Sequence, residues 1–135
     1  MLTKTIVALL PAPKDDVFAY LSNITNLPHW ATEFCQSLKL ENGKYKVHTC
    51  TGHDLIFKIE ANAATGTIDM FAGPTEEQMG MFPTRVVPLQ ERLTAYIFTM
   101  FQGPGMTEVS FSQQAESLRR EFDNIEKHFA KRANA

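Results

Sequence analysis

Between residues 106 and 131 the large apolar positions recur at intervals of four, three, four, three and four: Phe111, Ala115, Leu118, Phe122, Ile125 and Phe129. This is the period of one helix face. No Pro or Gly follows Gly105, and the positions between carry Gln113, Gln114, Glu116, Arg119, Arg120, Glu121, Asp123, Glu126 and Lys127. The pattern predicts one long helix with a polar outside and an apolar stripe that must lie on something apolar.

Upstream the apolar period falls to two, the period of strands. Residues 3–10 are rich in Ile, Val and Leu and close at Pro11, which predicts a strand. Pro13 suits the first turn of a helix, and Asp15 and Asp16 place negative charge where the helix dipole favours it. Val17, Phe18 and Leu21 give this helix a buried face, and Ser22 and Asn23 end it. Residues 24–30 contain Pro28 and predict a helical turn followed by a loop.

Asn42-Gly43 is the strongest short-range hairpin signal, because a type I′ turn needs positive φ at both central residues. Counting outward from Glu41 and Lys44 pairs Leu40 with Tyr45, Leu38 with Val47 and Gln36 with Thr49 on a mostly apolar face. The other face pairs Lys39 with Lys46, Ser37 with His48 and Cys35 with Cys50. The next strand points Leu55, Phe57, Ile59 and Ala61 inward, with Ile56 breaking the polar outer set. A three-residue loop at 52–54 then pairs Thr49 with Phe57 and Val47 with Ile59.

Residues 67–72 form a strand with Ile68, Met70 and Ala72 inward, and Gly73-Pro74 is read as its break. Residues 78–87 read as another strand, with Pro83 marking a bulge or an edge. Its faces stay open: Met79, Met81, Arg85 and Val87 compete with Gly80, Phe82, Thr84 and Val86. Residues 88–91 turn the chain, and residues 92–101 form the last strand, with Tyr96, Phe98 and Met100 as one possible inward face. Gly103-Pro104-Gly105 redirects the chain into the long helix.

The order predicts an α+β fold. A curved antiparallel sheet of about six or seven strands wraps around the C-terminal helix, with two short helices after the first strand. That order, the run Pro13-Lys14-Asp15-Asp16-Val17-Phe18-Ala19-Tyr20-Leu21, the segment Leu27-Pro28-His29-Trp30, and the lead from Thr107 to Phe111 into the last helix resemble the SRPBCC superfamily. This is the START-like, polyketide cyclase-like helix-grip fold shared with plant pollen allergens. The resemblance spans nearly the whole chain. It implies a cavity between sheet and helix that holds an apolar small molecule or lipid. The superfamily contains binders, lipid carriers, aromatase/cyclases and ring-hydroxylase subunits, so the fold does not choose among activities.

Composition narrows the field. The 135 residues suit a single domain over 1–135, and 44% hydrophobic with 21% charged residues is ordinary for a globular protein. The net charge of −2, with Lys and Arg spread along the chain, argues against nucleic acid as a partner. No apolar run approaches the ~20 residues of a membrane span. The apolar run 6–10 is shorter than a signal-peptide core and is closed by Pro11 and Pro13, so the expected compartment is cytoplasmic.

The candidate ligand contacts are Trp30, Tyr45, Val47, Phe57, Ile59, Met70, Arg85, Tyr96, Phe98 and Phe122. The same alternation serves a filled core equally well. Trp30 is either a packing anchor or a ring at the cavity mouth. Arg85 is either a surface residue or, turned inward beside Tyr45 or Tyr96, the polar end of a pocket. Six methionines suit an adaptable apolar surface.

His29, His48, His53 and His128 lack metal-ligand spacing, and His48, His53 and His128 are placed on the surface. Cys35 and Cys50 are expected as free thiols, and neither has a His partner in sequence. No acidic pair demands general acid–base work, and no phosphate loop is present. No metal or cofactor is expected. Three functions remain: binding of an apolar or aromatic molecule or lipid; a cyclase/dehydratase-like enzyme using Arg85, Tyr45 and Tyr96; and an interaction module or homodimer using the outer-face Ile56 and Phe71.

Overall fold

In the computed structural model, which describes residues 1–134, the first strand is Thr3–Leu10 (β1), with Ile6, Ala8 and Leu10 buried and Val7 and Leu9 exposed. Pro13 precedes a helix at Lys14–Ser22 (α1), which carries Asp15 and Asp16 in its first turn and buries Val17 and Leu21. Asn23 then caps a 3-10 turn, its Oδ1 accepting from the Thr25 N–H at 3.1 Å. A one-turn helix at Leu27–Trp30 (α2) follows, with Pro28 in its first turn.

Six strands come next: Cys35–Glu41 (β2), Lys44–Thr49 (β3), Asp54–Asn62 (β4), Thr67–Thr75 (β5), Gln78–Gln90 (β6) and Leu93–Phe101 (β7). The last helix is Glu108–Ala133 (α3), capped by Thr107, whose side chain accepts from the Ser110 N–H. All pairings are antiparallel, in the order β1-β7-β6-β5-β4-β3-β2. The chain crosses from one edge to the other through α1 and α2 and then meanders back to β1. Phe111, Leu118, Phe122, Ile125 and Phe129 on α3 are buried, as the stripe predicts.

The β2–β3 hairpin has its turn where expected, with Asn42 at φ 54° and Gly43 at φ 76°. The pairs from Glu41↔Lys44 to Ser37↔His48 also match. The Lys39↔Lys46 pair is tolerated because Glu41 offers one carboxylate oxygen to each, at 3.9 and 3.5 Å. Beyond Ser37 a bulge at Gln36 shifts the register, so Cys35 pairs with Thr49 and not with Cys50. Cys35 turns into the core while Cys50 is exposed, and both thiols are free.

The β3–β4 loop has the expected length in a different place. Its residues are 50–52, closed by Thr49 N–H to His53 C=O at 2.7 Å, and Tyr45 pairs with Phe57 and Val47 with Leu55. Gly52, at φ 88°, occupies the left-handed last position of the loop, where a three-residue hairpin needs it; the sequence reading placed it first. The slip is an even number of residues, so the inward set is unchanged.

Two breaks expected at proline do not occur. β5 runs through Gly73-Pro74 as a bulge, and β6 runs through Pro88 to Gln90. Each proline lies where a missing N–H costs little. Pro83 pairs across to Asp69, but β7 joins β6 only from Thr84 onward; Pro88 pairs with Thr94, but β5 has already ended its pairing at Arg85. Gly73 is squeezed against the Gln78 carbonyl, where a Cβ would collide. The open faces of β6 resolve as Thr84 and Val86 buried with Phe82 half-buried, and Arg85 exposed.

Candidate functional site

Sheet and helix do not close over their whole length. A cavity of about 420 Å³ lies between α2, the β2 and β3–β4 connections, the inner faces of β4, β5 and β7, and the N-terminal half of α3. Trp30, Phe34, Phe57, Met70, Phe82, Phe98, Met100 and Leu118 form apolar walls; Glu33, Thr49, Cys50, Thr51, His53, Gln114, Ser117 and Glu121 supply polar groups. Phe82, Phe98 and Met100 reach it where β6 and β7 stop pairing, beyond Thr84↔Phe98. The size falls in the range of small-molecule pockets, about 300–1,000 Å³.

One wall is the turn that follows α2. The Cys35 N–H donates to Ala31 C=O at 2.8 Å, folding residues 31–35 into a tight loop. One face of α3 holds that loop. Asn124 Nδ2 donates to the Trp30 C=O and to Thr32 Oγ1, both at 3.0 Å, while Arg120 meets the Glu33 carboxylate with two bonds of 2.7 Å. Between them Glu121 Oε2 accepts the backbone N–H groups of Glu33 and Phe34, each at 3.0 Å.

Glu121 is 4% exposed, the one buried charged-type side chain among the described residues. Burial pushes its carboxyl up to about 7, with the Phe34 and Glu33 N–H groups pulling partly the other way. The Glu33 carboxyl is lowered from its ordinary value because Arg120 hydrogen-bonds it. Burial also pushes the Cys35 thiol up to about 11, with Cys50 and Glu121 adding to the effect. Glu121 was placed among the polar positions of the helix from its residue type alone. Its position gave the better signal: it is three residues after Leu118 and four before Ile125, on the buried stripe.

Of the expected ligand contacts, Trp30, Phe57, Met70 and Phe98 line the cavity together. Val47, Tyr96 and Phe122 are buried in packed core and do not line it, and Tyr45 and Ile59 are half-buried outside it. Arg85 is a correction to any inward reading: it faces outward, with Nε donating to Thr65 C=O at 3.3 Å, because Thr84 and Val86 take the inner face. Tyr96 OH is buried with no hydrogen-bond partner among the described residues, and burial raises its pKa.

His128 also moves from its expected surface position. It is half-buried and stacks on Tyr20 at 3.9 Å between ring centroids, and burial lowers its pKa. Ile56 and Phe71 are half-buried on the outer face, where Lys58 Nζ lies 5.0 Å from the Phe71 ring centroid. Among the described residues no three His, Cys, Asp or Glu side chains group to hold a metal ion, and no helix is long and apolar enough to cross a membrane.

No family model matches the chain, and no curated protein matches it in sequence. Solved structures do match its three-dimensional form. A START superfamily protein from Mycobacterium smegmatis superposes with a TM-score of 0.72 at 12% identity, covering 96% of this chain and 97% of the other. The fold is the START-like helix-grip fold. The protein XoxI from Bacillus cereus is similar over 96% of both chains, with a TM-score of 0.76 at 13% identity. An aromatase/cyclase from Streptomyces matches with a TM-score of 0.74 at 12% identity, covering 98% of this chain and 95% of the other. These likenesses establish the helix-grip fold, and identities this low carry no activity across.

Proposed function

We propose that the chain binds an apolar or aromatic small molecule or lipid between its sheet and C-terminal helix. The observation that carries this reading is the cavity itself: the helix-grip interior stops short of filling, and its walls are four aromatic rings of the sheet and turns, with two methionines and Trp30. Each Å² of apolar surface removed from water favours binding by about 25 cal/mol, before the costs of ordering are subtracted. Trp30 is the only tryptophan, so the protein carries its own reporter at the wall.

Titrating with the neutral apolar dye N-phenyl-1-naphthylamine should give saturable energy transfer from Trp30 with one site. Ser117→Phe places a ring against the cavity and should weaken that binding while the thermal unfolding transition stays cooperative. Transfer that does not saturate, or that is unchanged in Ser117→Phe, would count against the reading. Native mass spectrometry of protein purified without added ligand, compared with denatured protein, would then show what occupies the site.

A second reading, an enzyme of the cyclase/dehydratase kind, is favoured by one observation. Glu121 is a cavity-lining carboxyl that changes charge near neutral pH, the property required of a group that moves protons. The groups expected for that role, Arg85, Tyr45 and Tyr96, do not line the cavity. Loss of turnover in Glu121→Gln with ligand affinity retained would separate catalysis from binding.

A further inference from the structure

The buried carboxylate at the cavity is only half used by the protein. Oε2 of Glu121 accepts two backbone N–H groups at 3.0 Å, whereas Oε1 takes no hydrogen bond among the described residues. Oε1 is not sealed within the protein, and Glu121 lines the cavity, so the cavity is the space open to Oε1. That leaves an acceptor oxygen that no donor among the described residues matches and that a ligand donor in the cavity can reach.

The surrounding charges set the sign of that donor. Arg120, the cation next to Glu121 in the chain, is held by Glu33 through two bonds of 2.7 Å and does not line the cavity. His53 is the one lining residue able to carry positive charge, and it is exposed. The apolar depth therefore offers an acceptor to a ligand and no fixed cation. Once Glu121 is ionised, above about pH 7, a carboxylate ligand would bring a second negative charge into a low-dielectric space beside it.

Resting on the binding function proposed above, we infer that the occupant is an apolar molecule carrying a protonated amine or, less favourably, a hydroxyl, which donates to Glu121 Oε1, and that free fatty acids and other carboxylates are rejected. Amine comes before hydroxyl because a charge-assisted bond is roughly twice as strong as a neutral one.

The test holds the apolar body constant. Binding of 2-(2-naphthyl)ethylamine, 2-(2-naphthyl)ethanol and 2-naphthylacetate is measured by isothermal titration calorimetry on wild type and on Glu121→Gln at about pH 8.5, where Glu121 is ionised and the amine is still protonated. On wild type the amine should bind at least about tenfold more tightly than the carboxylate, with the alcohol between them. Glu121→Gln keeps a carbonyl for the Glu33 and Phe34 N–H groups and removes the charge, and should bring amine and carboxylate within about twofold of each other. Equal binding of all three by wild type, or tightest binding of the carboxylate, would overturn the inference and leave the cavity's binding role standing. An amine preference that survives in Glu121→Gln would overturn the assignment to Glu121. Binding of none of the three would overturn the inference together with the binding function.

Discussion

The two halves of α3 lie on one sheet with one apolar stripe, yet they make different interiors. Toward its C-terminus Phe122, Ile125 and Phe129 are sealed, packed with Tyr96 and Phe98 of β7 and with α1 through the Tyr20–Phe129 edge contact. Toward its N-terminus Leu118, Ser117 and Gln114 look onto open space. The difference lies in what covers each end. The two-turn helix α1 lays Val17 and Leu21 into one end, while the other receives only the single turn of α2 and a loop tied down by hydrogen bonds donated by Arg120 and Asn124 and accepted by Glu121. A shared amphipathic stripe thus specifies contact with the sheet, and the lengths of the covering elements specify whether the space fills.

Stability should break along that line. Phe122→Ala empties a fully buried ring position and should cost about 3–5 kcal/mol in urea unfolding. Leu118→Ala, on the same stripe one turn earlier, borders existing space and should cost clearly less than the ~2–5 kcal/mol of a leucine in a filled core. Equal costs at the two positions would mean that the cavity end is packed in solution.

Glu121 gives the next largest effect, and its sign is opposite to that of most carboxylates. Its pKa is raised in the folded state, from an ordinary 4.5 to about 7, so between those values the folded protein holds a proton that the unfolded chain has released. Stability attributable to this group is present below pH 4.5, falls as pH rises toward 7, and stays lost above. The loss is on the order of 3 kcal/mol from the size of the shift. Glu33 and Asp54, whose pKa values are lowered by Arg120 and His48, contribute in the other direction on the acid side. The comparison that isolates Glu121 is therefore wild type against Glu121→Gln. The variant should be the more stable at pH 8, and the advantage should shrink as pH approaches 4. A constant difference across that range would show that Glu121 titrates normally.

The sheet and helix were legible because burial writes a period into the chain. The faces of β3, β4 and β5 follow from alternation, the inward face of β7 stayed one of two possibilities, and Asn42-Gly43 places the first hairpin turn. What was not legible has local causes. The bulge at Gln36 leaves no mark in composition, and it separates Cys35 from Cys50. The β3–β4 register turns on which loop position Gly52 takes, and the alternation survives either choice. Pro74 and Pro88 read as breaks because their tolerance depends on where neighbouring strands stop pairing. Cavity and core could not be told apart, since Phe57 and Phe98 line one and Val47 and Tyr96 belong to the other with the same spacing. Glu121 was hidden by its type: a carboxylate on a buried stripe makes sense only beside the Glu33 and Phe34 N–H groups, 88 and 87 residues away in sequence.

The smallest expected effect tests whether the loop end of the cavity is an electrostatic unit. Arg120 and Glu33 are exposed, so neutralising either should leave the unfolding midpoint almost unchanged. Their influence on Glu121 is opposite in sign: the Arg120 charge favours ionised Glu121, and the Glu33 charge opposes it. Arg120→Gln should therefore move the Glu121 titration upward, and Glu33→Gln should move it downward, as followed by the side-chain carboxyl ¹³C shift against pH. Both movements should be small beside the shift caused by burial, which is the first cause of the displaced titration. Shifts in one common direction would mean that the loop rearranges when the pair is broken. Glu33 would then act by holding residues 33 and 34 in place for Oε2, and the cavity end would depend on that ion pair for its geometry more than for its charge.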